Sequence, residues 1–78
     1  MINGLQIKLA RTALGWGVRE LASKANVSFN TVSRFENGSG VHGRTIQALQ
    51  TTLEDAGIIF IEEGAQSLDG GAGVRLKG

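Results

Sequence analysis

Four side chains, Phe29, Asn30, Ser33 and Arg34, are grouped so that they can do chemistry together. On a helix their spacing puts them on one outer face, near its N-terminal end. An amide, a hydroxyl and a guanidinium there offer donors and acceptors, and the phenyl ring adds an apolar edge. Such a face, laid into the major groove of duplex DNA, meets base edges. Other chemistries find little support. There is no cysteine, and His42 is the single histidine; thiol nucleophiles, disulfides, zinc fingers and a histidine-built metal site are excluded. The pairs Glu54-Asp55 and Glu62-Glu63 lie beside helix or strand ends without an acid–base partner set, so no catalysis is expected. Gly38-Ser39-Gly40-Val41-His42-Gly43 matches GxGxxG formally. It follows a helix and belongs to no βαβ unit, so neither a dinucleotide nor another cofactor is expected.

The segment Leu14 to Gly38, LGWGVRELASKANVSFNTVSRFENG, must position the four side chains. It reads as two short helices joined by a tight turn. The first runs from about Val18 to Ala25 and buries Leu21, Ala22 and Ala25, with small Ala22 where the helices cross. Asn26 stands where the turn needs positive φ, which Asn tolerates better than most residues. Ser28 is a suitable N-cap for the next helix, which runs to about Glu36 with Val32 and Phe35 inward. Asn37-Gly38 ends it, glycine favouring the left-handed terminator.

Around this unit, residues 3–14 read as a helix with an apolar stripe of Leu5, Leu9 and Ala13, Ala10 and Leu14 beside it, and Gln6, Lys8 and Arg11 largely off it. Gly15 and Gly17 break that helix around Trp16, which is expected to pack against it. Ser39 to Gly43 reads as a flexible connection. Thr45 is expected to cap a fourth helix through about Ala56, burying Ile46, Leu49 and Leu53, with Gly57 closing it. Ile58 to Ile61 is a short β-branched and aromatic run, and Val74-Arg75-Leu76-Lys77 alternates at period two across a loop at 64–73. The expected fold is mainly α: a compact four-helix domain over 1–57 with a C-terminal β-hairpin over 58–78.

At 78 residues the chain makes one domain, near the lower size limit for a single core. Its net charge of +1 hides an asymmetry: residues 1–44 sum to +4 and residues 45–78 to −3. A basic pole and an acidic pole suit a module with a DNA face and a separate second face. No run approaches transmembrane length and the N-terminus lacks a signal peptide's apolar stretch, so a cytoplasmic location is expected.

Both faces of the first hairpin strand are apolar, Ile58 and Phe60 on one and Ile59 and Ile61 on the other. The helices can cover one face. The other is expected to meet a second copy of the chain, with Ile58, Ile59, Phe60, Ile61, Val74 and Leu76 as the dimer interface. A hairpin folded back on its own helices is the alternative.

Leu14-Gly15, Arg19-Glu20-Leu21-Ala22, Lys24-Ala25, Val27-Ser28, Val32-Ser33-Arg34 and Glu36-Asn37-Gly38 together resemble the Xre-type helix-turn-helix family, the phage repressor and Cro group. The resemblance covers roughly residues 5–57. It implies a repressor-like fold with double-stranded DNA as partner; with the second copy expected at the hairpin, the expected function is a small transcriptional repressor acting as a homodimer. Asn30 and Arg34 would contact bases, Arg favouring guanine and Asn adenine. Ser33 would read a base or a phosphate. Phe29 would meet a thymine methyl, a protein partner or the edge of the core. Arg19, Ser28, Thr31, Asn37 and Arg44 would lie at phosphates or the minor groove, Arg44 sharing a phosphate with a helix start. Arg11 and Glu36 match a structural ion pair of the family. Gly17 and Val18 depart from the usual Ser or Thr followed by Gln, which weakens a cap and removes a phosphate-binding side chain. A different reading makes the unit a protein-binding module, an anti-activator or antitoxin, presenting Val18 and Phe29.

Overall fold

The computed structural model describes residues 2–61 and 73–76. Asn3 opens the first helix, α1 (Gly4–Leu14), through a capping box. Its side chain accepts from the Gln6 backbone N–H at 2.9 Å, while its own N–H donates to Gln6 Oε1 at 2.9 Å. Gly15, at φ 74°, ends α1 in the left-handed region, and the Trp16 N–H then closes on the Arg11 carbonyl at 2.9 Å.

The buried face of α1 is not the expected stripe. Gly4, Gln6, Ile7 and Ala10 point inward, whereas Leu5 is 58% and Leu9 40% exposed and Ala13 is exposed. Backbone proximity explains the choice. At Gly4 a Cβ would overlap the carbonyl oxygen of Phe35 and approach the Glu36 Cα to 3.0 Å, so α1 crosses the end of the third helix through a bare glycine. The face carrying that glycine has to be the inward one.

Two eight-residue helices follow, α2 (Val18–Ala25) and α3 (Phe29–Glu36). Asn26 joins them at φ 58°, as its residue type suggests, and the Val27 N–H returns to the Ala22 carbonyl. Ser28 caps α3 by accepting from the Thr31 N–H at 3.1 Å. The fourth helix, α4 (Gly43–Asp55), begins earlier than expected. His42 is its N-cap and Thr45 lies inside the first turn, its N–H donating to the His42 carbonyl. Gly43 is therefore helical rather than part of the connection.

The core lies where the helices meet. Ile7, Ala10, Leu21, Val32, Leu49 and Leu53 are fully buried, and Ile58 joins them from the first strand. Each fully buried Ile, Leu or Val side chain contributes about 1.5–3 kcal/mol. Strands β1 (Ile58–Ile61) and β2 (Gly73–Leu76) pair antiparallel, Ile58 opposite Leu76 and Phe60 opposite Val74. The expected loop at 64–73 falls outside the described residues up to its last position, as do Glu62-Glu63 and Lys77.

A single buried amide fastens the hairpin to α1. Gln6, 2% exposed, donates from Nε2 to the Ile61 carbonyl at 2.9 Å and the Gly73 carbonyl at 3.1 Å. Those two residues face each other across the strands, so the amide spans both. Among the described residues no buried side-chain polar atom lacks a partner.

Candidate nucleic-acid interface

The α2–α3 unit is held together by its own buried residues. Leu21 and Ala22 on α2, and Val32 and Phe35 on α3, are buried together in the core. Val32 and Phe35 are three apart, so they occupy one side of α3 and leave the other outward.

That outer side carries Phe29, Asn30 and Arg34, all exposed, with Thr31 and Ser33 half-buried at its margins. Asn30 and Arg34 are one turn apart and can work side by side. Ser28 and Thr31 are engaged with each other, their hydroxyl oxygens 2.7 Å apart, so both hydroxyls act in the cap. Ser28, Asn37 and Arg44 are exposed.

Between α3 and the start of α4 lies an open pocket of about 300 Å³ lined by Thr31, Arg34, Gly40, Val41, His42 and Thr45. It brings the glycine-containing connection beside the Arg34 end of the exposed face. Arg44 is the second residue of α4, where the positive helix end disfavours a cation and an anion would relieve the conflict. His42 supplies no side-chain bond to the cap.

Two aromatic side chains carry cations. The Arg19 guanidinium carbon sits 4.6 Å from the Phe29 ring centre, and Lys24 Nζ sits 5.0 Å from that of Trp16. Trp16 otherwise packs against the core. Val18 also packs there, half-buried, and so does not stand outward as the protein-binding reading supposed. Gly17 is the N-cap of α2 and gives no side-chain bond, as the departure at that position implied.

Arg11 and Glu36 hold the frame behind this face. The guanidinium donates from Nε at 2.8 Å and from Nη2 at 2.9 Å to the two carboxylate oxygens, and from Nη1 to the Trp16 carbonyl at 3.0 Å. The side chains are 14% and 9% exposed. The hydrogen bond to Glu36 raises the Arg11 pKa above its ordinary value; burial opposes the shift and the carboxylate's charge adds to it. One ion pair thus ties α1, α3 and the α1–α2 connection together.

The hairpin residues expected at a dimer interface divide into two groups. Ile58 is buried in the chain's own core, which takes it out of the expected interface, and Phe60 and Val74, half-buried, pack against that core. Ile59 and Ile61 are half-buried on the opposite face, and Leu76 is 51% exposed. Gln6 and Gly4, which position the hairpin and α3, escaped the periodicity reading. Asn3-x-x-Gln6 is itself a capping-box signature and was the signal available for Gln6.

Among the described residues no group of three His, Cys, Asp or Glu side chains could hold a metal, and no helix is long and apolar enough to cross a membrane. The family model described as helix-turn-helix matches residues 7–54, more than half of the chain. No curated protein matches it.

Proposed function

This chain belongs to the helix-turn-helix family of Xre/Cro type, a family of DNA-binding regulators, and we propose that it is a sequence-specific transcriptional repressor without enzymatic activity. In this reading α3 enters the major groove. One observation carries it: Asn30 and Arg34 are exposed one turn apart on a helix whose Val32 and Phe35 are buried. A rigid face with an amide and a guanidinium is what direct readout of adenine and guanine needs. Arg44 and the pocket beside Arg34 supply the adjoining phosphate contacts, with Arg19, Asn37 and Ser33 at the margins.

The working form is a homodimer, whose two-fold axis matches paired half-sites. Ile59 and Ile61, on the outer face of β1, are the hairpin residues left for the partner subunit to cover, with Leu76 at the exposed rim of the inner face opposite Ile58. Regulation then comes through abundance, dimerisation or another protein, and the site of action is the cytoplasm.

Selection of genomic fragments by the purified protein at physiological salt tests the whole reading. An enriched palindrome supports both DNA reading and dimerisation, and its half-site spacing measures the dimer. Arg34→Ala is expected to cost about 1–3 kcal/mol on that operator and relax one base position. Unchanged affinity in this variant removes the assigned register of α3. A chain mass of one subunit by light scattering removes the dimer.

The exposed Leu5 and Leu9 favour a second reading, in which the chain binds another protein as an anti-activator or antitoxin. Salt separates the two: DNA binding weakens steeply as salt rises, and an apolar protein contact does not.

A further inference from the structure

Arg19 and Phe29 come from different helices yet meet at one point. Arg19 is the second residue of α2 and Phe29 the first of α3, and the guanidinium carbon lies 4.6 Å from the ring centre. A cation over an aromatic face is held by the ring's quadrupole. The stack restrains a long side chain that would otherwise sample many rotamers.

The two groups are also incomplete. The guanidinium has no carboxylate partner among the described residues, where Arg11–Glu36 is the ion pair present. Its planar fork of N–H groups is matched by an acceptor pair in one plane. Phe29 is 40% exposed, an apolar ring at the end of the helix that also carries Asn30 and Arg34.

Base edges in the major groove supply both complements. Guanine offers the O6 and N7 acceptor pair, and thymine offers its C5 methyl group. Successive bases are about 3.4 Å apart along a strand, and the ring and guanidinium are 4.6 Å apart. Groups this near to each other can meet neighbouring bases.

We infer that Arg19 and Phe29 act as one reading unit that selects a 5-methylpyrimidine next to a guanine, the ring against the methyl group and the guanidinium on the guanine edge. This rests on the DNA-reading proposal above and deepens it. It moves Arg19 from the phosphate backbone to a base and makes Phe29 both a contact and the positioning residue for Arg19. It also gives the protein a response to cytosine methylation. 5-Methylcytosine carries its methyl group where thymine does, so a methylated cytosine paired with guanine replaces that thymine and an unmodified cytosine does not.

The test uses the full chain and the operator obtained by fragment selection, with affinity read by fluorescence anisotropy. Each operator thymine beside a guanine is replaced by deoxyuridine, which removes only the methyl group. A single such replacement, in one half-site, is expected to weaken the wild-type protein about 4-fold and to leave Phe29→Ala unaffected. Methylated cytosine at that position restores affinity, and unmethylated cytosine does not. Arg19→Ala is expected to lose about 5- to 150-fold discrimination for the adjacent guanine, with Phe29→Ala adding little on top.

Uniform indifference to deoxyuridine overturns the inference while DNA reading stands. So does an Arg19→Ala variant that weakens all sequences alike and lowers the salt slope by about 1, the mark of a phosphate contact. Failure to enrich any DNA removes the DNA-reading proposal and this inference together. The deoxyuridine arm needs no protein variant, so it stands whatever the substitutions do to folding.

Discussion

Replacing Gln6 by methionine isolates the amide that joins α1 to the hairpin. Methionine keeps the length and nearly the volume of the side chain, so no large cavity follows. Three hydrogen bonds disappear: Nε2 to the Ile61 and Gly73 carbonyls, and Oε1 from the Asn3 N–H. At about 1 kcal/mol net for each, the loss is about 3 kcal/mol. Burying a thioether in place of an amide returns roughly 1 kcal/mol. A net cost of about 2 kcal/mol lowers the midpoint of a domain this size by roughly 8–16 °C.

Thermal and urea denaturation followed by circular dichroism measure that loss. Gln6→Glu sharpens the test, because a carboxylate oxygen then faces two carbonyl oxygens. At neutral pH it is expected to be less stable than Gln6→Met. The folded-state pKa of that carboxyl is pushed above its unfolded value of about 4.3. The folded state then binds more protons than the unfolded one between those two values, so stability rises as pH falls through the folded pKa. A Gln6→Met protein within about 0.5 kcal/mol of wild type, or a Gln6→Glu protein no worse than Met and indifferent to acid, refutes the assigned role.

Gly4→Ala forces a Cβ onto the Phe35 carbonyl, and calorimetry should show a loss of about 1–3 kcal/mol. Glu36→Gln leaves the Arg11 guanidinium without its carboxylate and should cost about 2–4 kcal/mol in urea titrations. Because the Arg11 pKa is raised, its share of the pair's stability is complete below the ordinary arginine range and lost only as pH climbs through the higher folded value. The Arg11 contribution should therefore be flat between about pH 6 and 9. Asn26, at φ 58°, should lose about 1–2 kcal/mol on conversion to alanine and almost nothing on conversion to glycine, compared by thermal melts.

The helix-turn-helix unit was legible because its signals are local. Asn26 carries the turn, Ser28 the cap, and Val32 with Phe35 the buried side of α3, each within a few residues of what it determines. α1 was not legible in the same way. Its sequence holds two apolar stripes of nearly equal hydrophobicity, Leu5-Leu9-Ala13 and Ile7-Ala10-Leu14, so periodicity alone does not choose between them. The decision belongs to Gly4, whose missing side chain matters only once the backbone of α3 is beside it. At α4 the preference of threonine for caps pointed to Thr45, yet the helix begins one turn earlier, at a histidine whose side chain takes no part. For the exposed face, residue types and positions were readable; the stack of Arg19 on Phe29 was not, since it joins two helices whose relative placement sets it.

The Gln6 clasp has a consequence for how the chain comes into being. Its amide leaves the ribosome 55 residues before the Ile61 carbonyl and 67 before that of Gly73. At roughly 5–20 residues per second, that is a wait of several seconds. The contacts between α2 and α3 are close in sequence and need no such delay. In a nascent chain α1 can meet α3 through Arg11 and Glu36 well before it meets the hairpin. It gains its last partners only when β2 has emerged.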